Sequence, residues 1–462
     1  MTPTPATTFT HYSTVLRNHC RRRVFIIRMT PNVCKGASSR RTLSLVIAMV
    51  LGAGVLALSV IYIMQSGKRS ELRRFEAGLT NGAESLRPRD SLIESFNALG
   101  FDVFAQLVKS HPGQNVLFSP ASLAEALAML SEGAAGSTRD EIAKTLRLSG
   151  SNLNGLALSN AAILKTLIPL DPALNLAFAN GLWVNQNEGI ASNYISRMEH
   201  FFGAQVRSVN FTSSDAPEIL NQWISNKTCG RIQRIYPRPF DPNLEMILIN
   251  TLHFKGEWMS PFDPATTHDA PFKLLNGETI RCPQMRRFVT AYHCNNPLFE
   301  AVQLMFNDGD LGLFKVNMVV MLPKDISHFD KFLDSLNTVN WTQWQQAFTL
   351  LGGSVTLPRF RISAQSDLVE NLQACGIRNA FNSEKADFRP IGSSGLYVTE
   401  CRQAVTIDVN EHGAEAAAAT DITLGRGGPP PESFTMIINR PFVILICSDD
   451  TILFMAAVTD PR

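Results

Sequence analysis

Apolar residues are distributed along this chain in two distinct ways. Residues 43–64 form one uninterrupted segment of 22 residues without a charge. From about Ser91 onward, apolar and polar residues instead alternate with the periods of helices and strands. A helix of 22 residues is about 33 Å long, which is enough to cross a bilayer. The pattern therefore predicts one transmembrane helix followed by a large globular part.

The start of the globular part has the spacing of helices. A first helix is predicted from the apolar residues Leu92, Phe96, Leu99, Phe101, Val103, Phe104 and Leu107. Residues 115–120 are predicted to form a short strand that ends at Pro120. A second helix is expected to begin at Ser122, and a third is expected to be capped by Ser137 or Thr138.

Seven later segments are predicted to be strands. Some alternate between apolar and polar residues and others are continuously apolar, which is typical of sheets buried on one face or on both. The segments are residues 174–185, 245–255, 314–323, 354–363, 404–411, 434–448 and 451–460. Neither an internal repeat nor a Pro/Gly/Ser-rich linker divides residues 91–462, so one α+β domain is expected.

Residues 410–431 (NEHGAEAAAATDITLGRGGPPP) combine helix-favouring alanines with a strand-like alternation. One set of alternate positions is small or apolar: Ala414, Ala416, Ala418, Thr420, Ile422 and Leu424. The other set carries both charges, Glu415 and Asp421, as the exposed side of a half-buried strand does. A strand whose leading residues are small can enter between two others, with Gly413 as a hinge. The alternative hypothesis is an alanine-rich loop without a function.

Charge divides the chain unevenly. Residues 1–42 contain eight Lys or Arg and no acid, whereas the remainder has 34 basic and 40 acidic residues, a net charge of −6. The mildly acidic body does not favour nucleic-acid binding. The cationic excess before the apolar segment predicts a cytosolic N-terminus and an extracellular body, in a single-pass type II arrangement.

These features define four expected regions. They are a basic cytoplasmic tail at 1–42, a signal-anchor helix at 43–64, a stalk at 65–90 and a globular domain at 91–462. Two alternatives remain for the N-terminal region: a signal peptide cleaved near Ala57, which would release a secreted protein, and a mitochondrial transit peptide.

Cysteines and sequons add little to this picture. The six cysteines of the body are widely and irregularly spaced, which would allow one or two disulfides, although a body of this size can bury a core without them. Asn210, Asn226 and Asn340 begin Asn-X-Thr sequons, which are candidate glycosylation sites on an extracellular protein.

Several ordered blocks of the body resemble the serpin family of protease inhibitors over nearly the whole of residues 91–462. The blocks are NVLFSPASLAEALAML from Asn115, GLWVN from Gly181, NQWISNKTCGRI from Asn221, INTLHFKGEWMSPFDP from Ile249, MIINRPFVILI from Met436 and LFMAAVTDP from Leu453. The structural positions that match are Asn250, Phe254, Gly256, Trp258, Phe262, Pro441 and Phe442. The resemblance implies a fold of about nine helices around three β-sheets, with an exposed reactive-centre loop at about residues 411–435.

The resemblance also implies a mechanism, which is suicide inhibition of a serine protease. The protease would cut the loop, and the freed part of the loop would then insert as a new strand into the main sheet. The hinge and insertion residues implied are Glu411, Gly413, Ala414, Glu415, Ala416, Ala417, Ala418, Ala419 and Thr420. The region where the sheet opens would include Asn115, Phe118, Ser119, Pro120 and Ser122.

The bond that the protease attacks is placed among Arg426, Gly427 and Gly428. Family spacing from Glu411 gives Gly427-Gly428, but a cut after Arg426 would present a guanidinium to a trypsin-like pocket. Arg426 is favoured; cleavage at Gly427 or Leu424 would suit an elastase-like enzyme. The protein is expected to act as a monomer, and no cofactor, glycosaminoglycan or metal site is expected.

Two other functional classes are alternatives to protease inhibition. An enzyme has little support, since the chain lacks GxSxG, HExxH and GxxxxGK[ST], and its one GxGxxA lies inside the apolar segment. A non-inhibitory serpin-like binding protein or chaperone is the serious alternative. Such relatives tend to have bulky, charged or proline residues in the hinge, whereas residues 416–419 are all alanine. The hinge therefore favours inhibition.

Overall fold

The computed structural model describes residues 90–148, 174–228, 230–236, 239–307, 316–392, 395–414 and 433–462. All of them belong to one unit, Thr80–Arg462. The predicted tail, signal-anchor helix and stalk lie outside the described residues, except for the last residue of the stalk, Asp90. No helix among the described residues is both long and apolar enough to cross a membrane.

The described residues contain eight α-helices, against about nine expected. They are α1 (Asp90–Ser110), α2 (Pro120–Glu132), α3 (Gly136–Thr145), α4 (Ser192–Phe202), α5 (Ala216–Lys227), α6 (Phe329–Asp334), α7 (Thr338–Gln345) and α8 (Val369–Ala374). Three short 3-10 helices are Pro264–Thr266, Ile326–His328 and Asn379–Phe381.

Fifteen strands are found in the same residues. They are β1 (Val116–Phe118), β2 (Leu174–Asn185), β3 (Gln205–Val209), β4 (Met246–Glu257), β5 (His268–Lys273), β6 (Thr279–Asn295), β7 (Phe299–Met305), β8 (Val316–Pro323), β9 (Thr349–Pro358), β10 (Phe360–Asp367), β11 (Val398–Val409), β12 (Gly413–Ala414), β13 (Ser433–Ile437), β14 (Phe442–Ser448) and β15 (Thr451–Val458). Two predicted strands are each divided in two: 354–363 breaks at Arg359, and 434–448 breaks before Phe442.

Hydrogen bonding joins the described strands into two sheets rather than the three expected. A six-stranded sheet has the order β10-β11-β12-β4-β2-β3, and a nine-stranded sheet has the order β1-β15-β14-β8-β7-β6-β9-β13, with β5 paired to β6. The reason is the 17-residue strand β6, which pairs with β5, β9 and β7 in turn along its length. One continuous strand thus links two groups of strands that were expected to be separate.

Helix α2 lies at the centre of the core. It contacts α1, β15 and β4, and all but its last residue is buried. Such a helix needs apolar residues on every side rather than on one stripe, which its alanines and leucines provide. The large core cluster includes residues of both sheets, and a second, smaller cluster forms around Trp183 and Trp223.

Two predicted helix starts are corrected. Helix α2 is capped by Ser119, whose side chain accepts a hydrogen bond from the Ser122 amide at 3.3 Å. Pro120 fits the first turn because the amide that it lacks would have no helical partner there. Helix α3 begins after Ala135 without a side-chain cap, so neither Ser137 nor Thr138 has that role.

The five cysteines of the described body are all free thiols. They are Cys282, Cys294, Cys375, Cys401 and Cys447. No disulfide therefore forms among the described residues, and the large apolar core holds the fold together there.

Candidate functional site

The central strands β4 and β11 of the six-stranded sheet run parallel and separate at one end. They pair in eight register positions, which end at Thr406 opposite His253. Beyond that point both strands continue, to Glu257 and Val409 respectively. A gap between two strands leaves backbone donors and acceptors that need a partner.

The short strand β12 occupies this gap. Gly413 and Ala414 pair antiparallel with Glu257 and Gly256 of β4, and Ala414 pairs antiparallel with Val409 of β11. Ala414 is buried, in agreement with the predicted inward-facing set of alternate residues. The chain that leaves β11 therefore turns back and starts a strand between β11 and β4.

A tight turn at residues 410–413 makes this reversal. The Asn410 amide donates to the Gly413 carbonyl at 2.9 Å, and the His412 amide donates to Asn410 Oδ1 at 3.0 Å. Gly413 has φ +152°, and a Cβ there would lie 2.0 Å from the Gly256 carbonyl oxygen. Only glycine allows this close approach of the two backbones.

Trp258 holds the turn against the end of β4. Its indole Nε1 donates to the Asn410 carbonyl at 2.9 Å, and its amide donates to the His412 carbonyl at 2.8 Å. Its ring is buried and stacks on Phe306 with centroids 4.5 Å apart. The side chain thus fixes the point from which β12 enters the sheet.

Glu411 forms a second attachment on the same turn. Its buried carboxylate accepts a hydrogen bond from Thr267 Oγ1 at 2.8 Å, and its Oε1 lies 3.7 Å from Nη1 of Arg359. Its carbonyl accepts from the Phe262 amide at 2.8 Å. Because Arg359 is half exposed, solvent weakens the ion pair, and the buried hydrogen bonds contribute more of the attachment.

A buried polar cluster lies between β4 and β11 in the part where the two strands pair directly with each other. Asn250 of β4 lies opposite Gln403 of β11, and Gln403 Nε2 donates to Asn250 Oδ1 at 2.9 Å. Gln403 also donates to the Ser119 carbonyl at 3.0 Å and accepts from the Ser119 amide at 2.8 Å. Ser122 Oγ donates to Asn250 Oδ1 at 2.7 Å. We call these four residues, together with Asn180, which accepts a hydrogen bond from Asn250, the polar cluster.

The polar cluster connects the start of α2 to the two strands that would have to separate. A strand entering between β4 and β11 would break the contact between Asn250 and Gln403. Buried amides and hydroxyls without partners are costly, so any opened state must provide new ones. Any separation of β4 and β11 would therefore have to break the polar cluster.

The residues predicted for the sheet-opening region separate into three groups. Ser119 and Ser122 lie in the polar cluster. Phe118 is buried in the core and Pro120 begins α2. Asn115 is directed elsewhere, since its side chain bonds to the backbone of Thr459 and Asp460.

The predicted structural positions lie in three places: Asn250 in the polar cluster, Phe254, Gly256 and Trp258 at the C-terminal end of β4, and Pro441 and Phe442 at the start of β14. Phe254 and Trp258 are buried against Phe306. A Cβ on Gly256 would lie 2.6 Å from the Phe254 ring, so this position also has no room for a side chain. Pro441 and Phe442 are buried where β14 begins, with the Phe442 ring near Phe360.

Gln403 and Asn180 are two residues of the polar cluster that were not predicted from the sequence. For Asn180 a signal was present, because it is an amide within the largely apolar segment 174–185, whereas Gln403 precedes the predicted strand 404–411 and lies beside the charged Glu400 and Arg402. What the sequence lacked was the partner, since Ser119 is 284 residues away from Gln403 along the chain.

The residues around the attacked bond, Gly425 to Gly428, which we call the bait, and the inserting segment beyond Ala414 lie outside the described residues. Glu415, Ala416, Ala417, Ala418, Ala419, Thr420, Arg426, Gly427 and Gly428 all fall within 415–432. The chain is described again from Ser433, the first residue of β13, which pairs parallel with β9.

The two serines of the polar cluster take part in structural hydrogen bonds. Ser119 and Ser122 are buried and already hydrogen-bonded. Among the described residues, no group of three or more His, Cys, Asp or Glu is placed to hold a metal ion.

The family described as Serpin (serine protease inhibitor) matches residues 94–461, so this chain belongs to the serpin family, whose members are in general protease inhibitors and not enzymes. Human glia-derived nexin is 30% identical over 386 residues, covering 80% of this chain and 94% of the nexin. Serpin A3-1 of Bos taurus is 30% identical over 380 residues, covering 80% and 89% of the two chains.

Solved structures agree with the sequence match. Native protease nexin-1 with heparin superposes with a TM-score of 0.70 and 28% identity, covering 80% of this chain and 99% of the nexin. Human thyroxine-binding globulin gives a TM-score of 0.73 and 25% identity, covering 80% and 98%. The described fold is therefore the serpin fold, and the similar structures include one named protease nexin-1 and one named thyroxine-binding globulin.

Proposed function

We propose that this protein inhibits serine endopeptidases as a suicide substrate and that strand β12 is the first part of the inserting loop. The observation that carries the proposal is the position of β12. Gly413 and Ala414 already pair with β4, and Ala414 also pairs with β11, in the orientation that a longer inserted strand would continue.

The chemistry is supplied by the protease. Its serine oxygen attacks a carbonyl carbon of the bait, the peptide bond breaks, and the new amino terminus leaves with the proton that the serine gave up. The N-terminal part of the loop remains attached to the protease as an ester. Insertion of this part then carries the protease along the sheet before water can hydrolyse the ester.

Strand exchange supplies the driving force. Insertion breaks the parallel ladder of eight register pairs between β4 and β11 and replaces it by two antiparallel ladders, one on each side of the new strand. If about ten additional bonds form at about 1 kcal/mol net each, the gain is on the order of 10 kcal/mol. Burial of the small inward-facing side chains adds to it.

We place the attacked bond at Arg426-Gly427, so that a trypsin-like protease is the target. The carboxylate of such a protease's specificity pocket would accept two hydrogen bonds from the guanidinium. Cleavage at Gly427 or Leu424 by an elastase-like protease is the alternative. The mass of the C-terminal peptide released after incubation with trypsin or elastase distinguishes these bonds.

An SDS-resistant complex with trypsin or a thrombin-like protease tests the proposed function. An inhibitor of this type forms a covalent complex at close to one protease per inhibitor. A non-inhibitory binding protein or a plain substrate would give no such complex, and that result would overturn the proposal. The run of four alanines at 416–419 supports inhibition because small residues enter a sheet easily.

We further propose that residues 43–64 anchor the protein, as a monomer, with its body on the extracellular side. The support is the uncharged length of this segment and the eight cations before it. Of the three sequons, Asn226 is exposed on α5, whereas Asn210 and Asn340 are half-buried. N-terminal sequencing of the mature protein, with carbonate extraction of membranes, separates anchoring from cleavage near Ala57.

A further inference from the structure

A surface pocket lies between the C-terminal end of α1, helix α6 and the end of β15. It has a volume of about 270 Å³, and its wall includes Lys109 of α1, Asp330 and Asp334 of α6, and Thr459, which follows β15. The wall contains no residue of β4, of β11 or of the turn at 410–413. We call this cavity the α1 pocket.

The floor of the α1 pocket is apolar. Phe104, Phe329 and Leu333 line it and are buried, and Val108 and Leu275 are half-buried. Pockets that bind small molecules are lined mainly by apolar and aromatic side chains, with a few polar groups at defined places. Small cavities walled by such side chains take up aromatic molecules of matching size. The apolar part of a ligand would therefore find contacts here that water does not provide.

The volume of the α1 pocket limits its ligand to a small molecule. Liquid water occupies roughly 30 Å³ per molecule, so 270 Å³ corresponds to about nine water molecules. A ligand with about that number of non-hydrogen atoms would fill the pocket.

Charge at the mouth of the α1 pocket is predominantly negative. Lys109 Nζ lies 3.6 Å from Asp334 Oδ1, so this cation is paired with one of the two aspartates. Asp330 is exposed, and its side chain forms neither an ion pair nor a hydrogen bond among the described residues. One carboxylate of the wall is therefore left to pair with a positively charged ligand.

The end of helix α1 adds to this negative charge. The helix has 21 residues and ends at Ser110, and residues 108, 109 and 111–114 line the pocket around that end. The C-terminal end of a helix carries a partial negative charge, because its last carbonyls have no helical partners. His111 Nδ1 lies 3.0 Å from the Leu107 carbonyl oxygen, to which a neutral imidazole can donate. The pocket thus combines an apolar floor with a mouth suited to a cation.

We propose that the α1 pocket binds a small organic amine. Its apolar body would lie on Phe104, Phe329 and Leu333, and its ammonium group would lie beside Asp330. 2-Phenylethylamine, with an aromatic ring and an ammonium group on nine non-hydrogen atoms in all, has about the required size and charge. The inference goes beyond the proposed function and does not depend on it, because the pocket shares no residue with the bait or with the strands that would open.

Three probes that differ mainly in their polar group test the inference. They are 2-phenylethylamine, 2-phenylethanol and phenylacetate, which at pH 7 are cationic, neutral and anionic. Each is titrated into the full-length protein held in lipid nanodiscs, and binding is measured by calorimetry or by saturation-transfer NMR.

Matched variants locate the binding site. Ala105→Trp fills the pocket from α1 and Gln114→Trp closes its mouth, because both residues line it. Gln106→Trp is the control, since Gln106 is the next residue of α1 and is not part of the wall. Asp330→Asn removes the charge, and its control is Glu370→Gln, which changes another exposed acid in the first turn of a six-residue helix. Thermal melting verifies folding, and Gln114→Trp replaces Ala105→Trp if the latter does not fold.

We expect 2-phenylethylamine to bind at least about threefold more tightly than 2-phenylethanol, as an exposed ion pair allows. Phenylacetate should bind more weakly than both. Asp330→Asn should lower the affinity for the amine to that for the alcohol, and the two tryptophan substitutions in the wall should abolish binding of the amine. Gln106→Trp and Glu370→Gln should bind the amine like the unaltered protein.

Several results would overturn the inference. They are the absence of amine binding, and amine binding that persists in both Ala105→Trp and Gln114→Trp, which would place the amine at another site or in the lipid. Equal binding of the amine and the alcohol would remove the role of Asp330, and tighter binding of phenylacetate would show that Lys109 selects an anion instead. None of these results affects the SDS-resistant complex with a protease, which tests the proposed function separately.

Discussion

Gln403 on β11 donates a hydrogen bond to Asn250 on β4 at 2.9 Å, across the line along which the sheet would open. Both side chains are buried, and both also bond to the start of α2 through Ser119 and Ser122. The resting state is therefore held by polar contacts at the place where a new strand would enter. Such contacts are directional, so they oppose separation of the strands more specifically than apolar packing does.

Substitution of Gln403 by Ala should destabilise the resting protein. The change leaves the Ser119 amide and carbonyl without their side-chain partners, which costs about 2 kcal/mol or more in the free energy of unfolding. Denaturant-induced unfolding measures the effect. Gln345→Ala, which removes an exposed glutamine from α7, should change the stability by less than about 0.5 kcal/mol. Equal stability of the two variants would contradict the assigned role of the polar cluster.

Substitution of Gly413 by Ala should displace β12. Its Cβ would meet the Gly256 carbonyl oxygen at 2.0 Å, so the two backbones would have to move apart. We expect more inhibitor to be consumed per protease trapped, as measured by titration against trypsin. Gly189→Ala is the matched control, because an added Cβ there meets no atom within 4 Å. An unchanged stoichiometry in Gly413→Ala would show that entry of the loop does not depend on this close approach.

Much of the fold could be predicted from local spacing. The helical positions of Phe96, Leu99 and Phe104 and the apolar run of β14 depend on neighbours within a few residues. They appear in the structure where the sequence places them.

The features that were not predicted from the sequence depend on contacts between residues far apart along the chain. Strand β6 was not predicted, since half of its residues face solvent and its partners lie on three other strands. For the same reason the exposed side chains of Phe288 and Tyr292 escaped notice, since their neighbours become known only from the strand register. Gln403 required knowledge of a contact with Ser119 on another element.

The alternation of residues in the inserting segment predicts opposite effects for substitutions at inward-facing and outward-facing positions. Ala414→Arg would place a cation at a buried position of the sheet and should convert the protein from inhibitor to substrate. Glu415→Arg changes the adjacent position, which the alternation directs outward, and should leave inhibition intact. Ala416→Pro should act like Ala414→Arg, because proline cannot donate to a ladder. SDS-resistant complex formation measures all three, and complexes with both Ala414→Arg and Ala416→Pro would count against strand insertion.

Burial should protect the thiols of the uncleaved protein from alkylation. Burial, with a smaller contribution from a nearby aspartate in each case, raises the pKa of Cys401 and Cys447 far above its usual range. Burial and Asp102 raise the pKa of Cys375 to about 11, so roughly one such thiol in a thousand is ionised at pH 8. Iodoacetamide at pH 8 should therefore label the buried Cys401 and Cys447 only after denaturation, and the partly buried Cys375 slowly in the native protein. Rapid labelling of Cys401 in the native protein would mean that β11 opens without a protease.

The same shifts give a direction for the pH dependence of stability. The thiols stay protonated in the folded state and ionise near pH 8.5 when unfolded. The folded state therefore gains nothing from them at neutral pH and loses stability as the pH rises above about 8.5. The loss can reach about 1.4 kcal/mol per pH unit for each such thiol. Cys401→Ser should reduce this slope in unfolding experiments between pH 8 and 10.

Cleavage of the bait should make the protein harder to unfold, not easier. In a protein held together by a fixed set of contacts, a cut in the chain lowers stability or leaves it unchanged. Here the cut would free residues 415–426 to continue β12 between β4 and β11, with about ten new bonds at about 1 kcal/mol each. Calorimetry of the intact protein and of the protein nicked within 424–428 should show a higher Tm for the nicked form. Ala416→Pro provides the control, because its nicked form should lack most of that increase. A nicked protein that melts at or below the temperature of the intact one would exclude strand insertion as the source of inhibition.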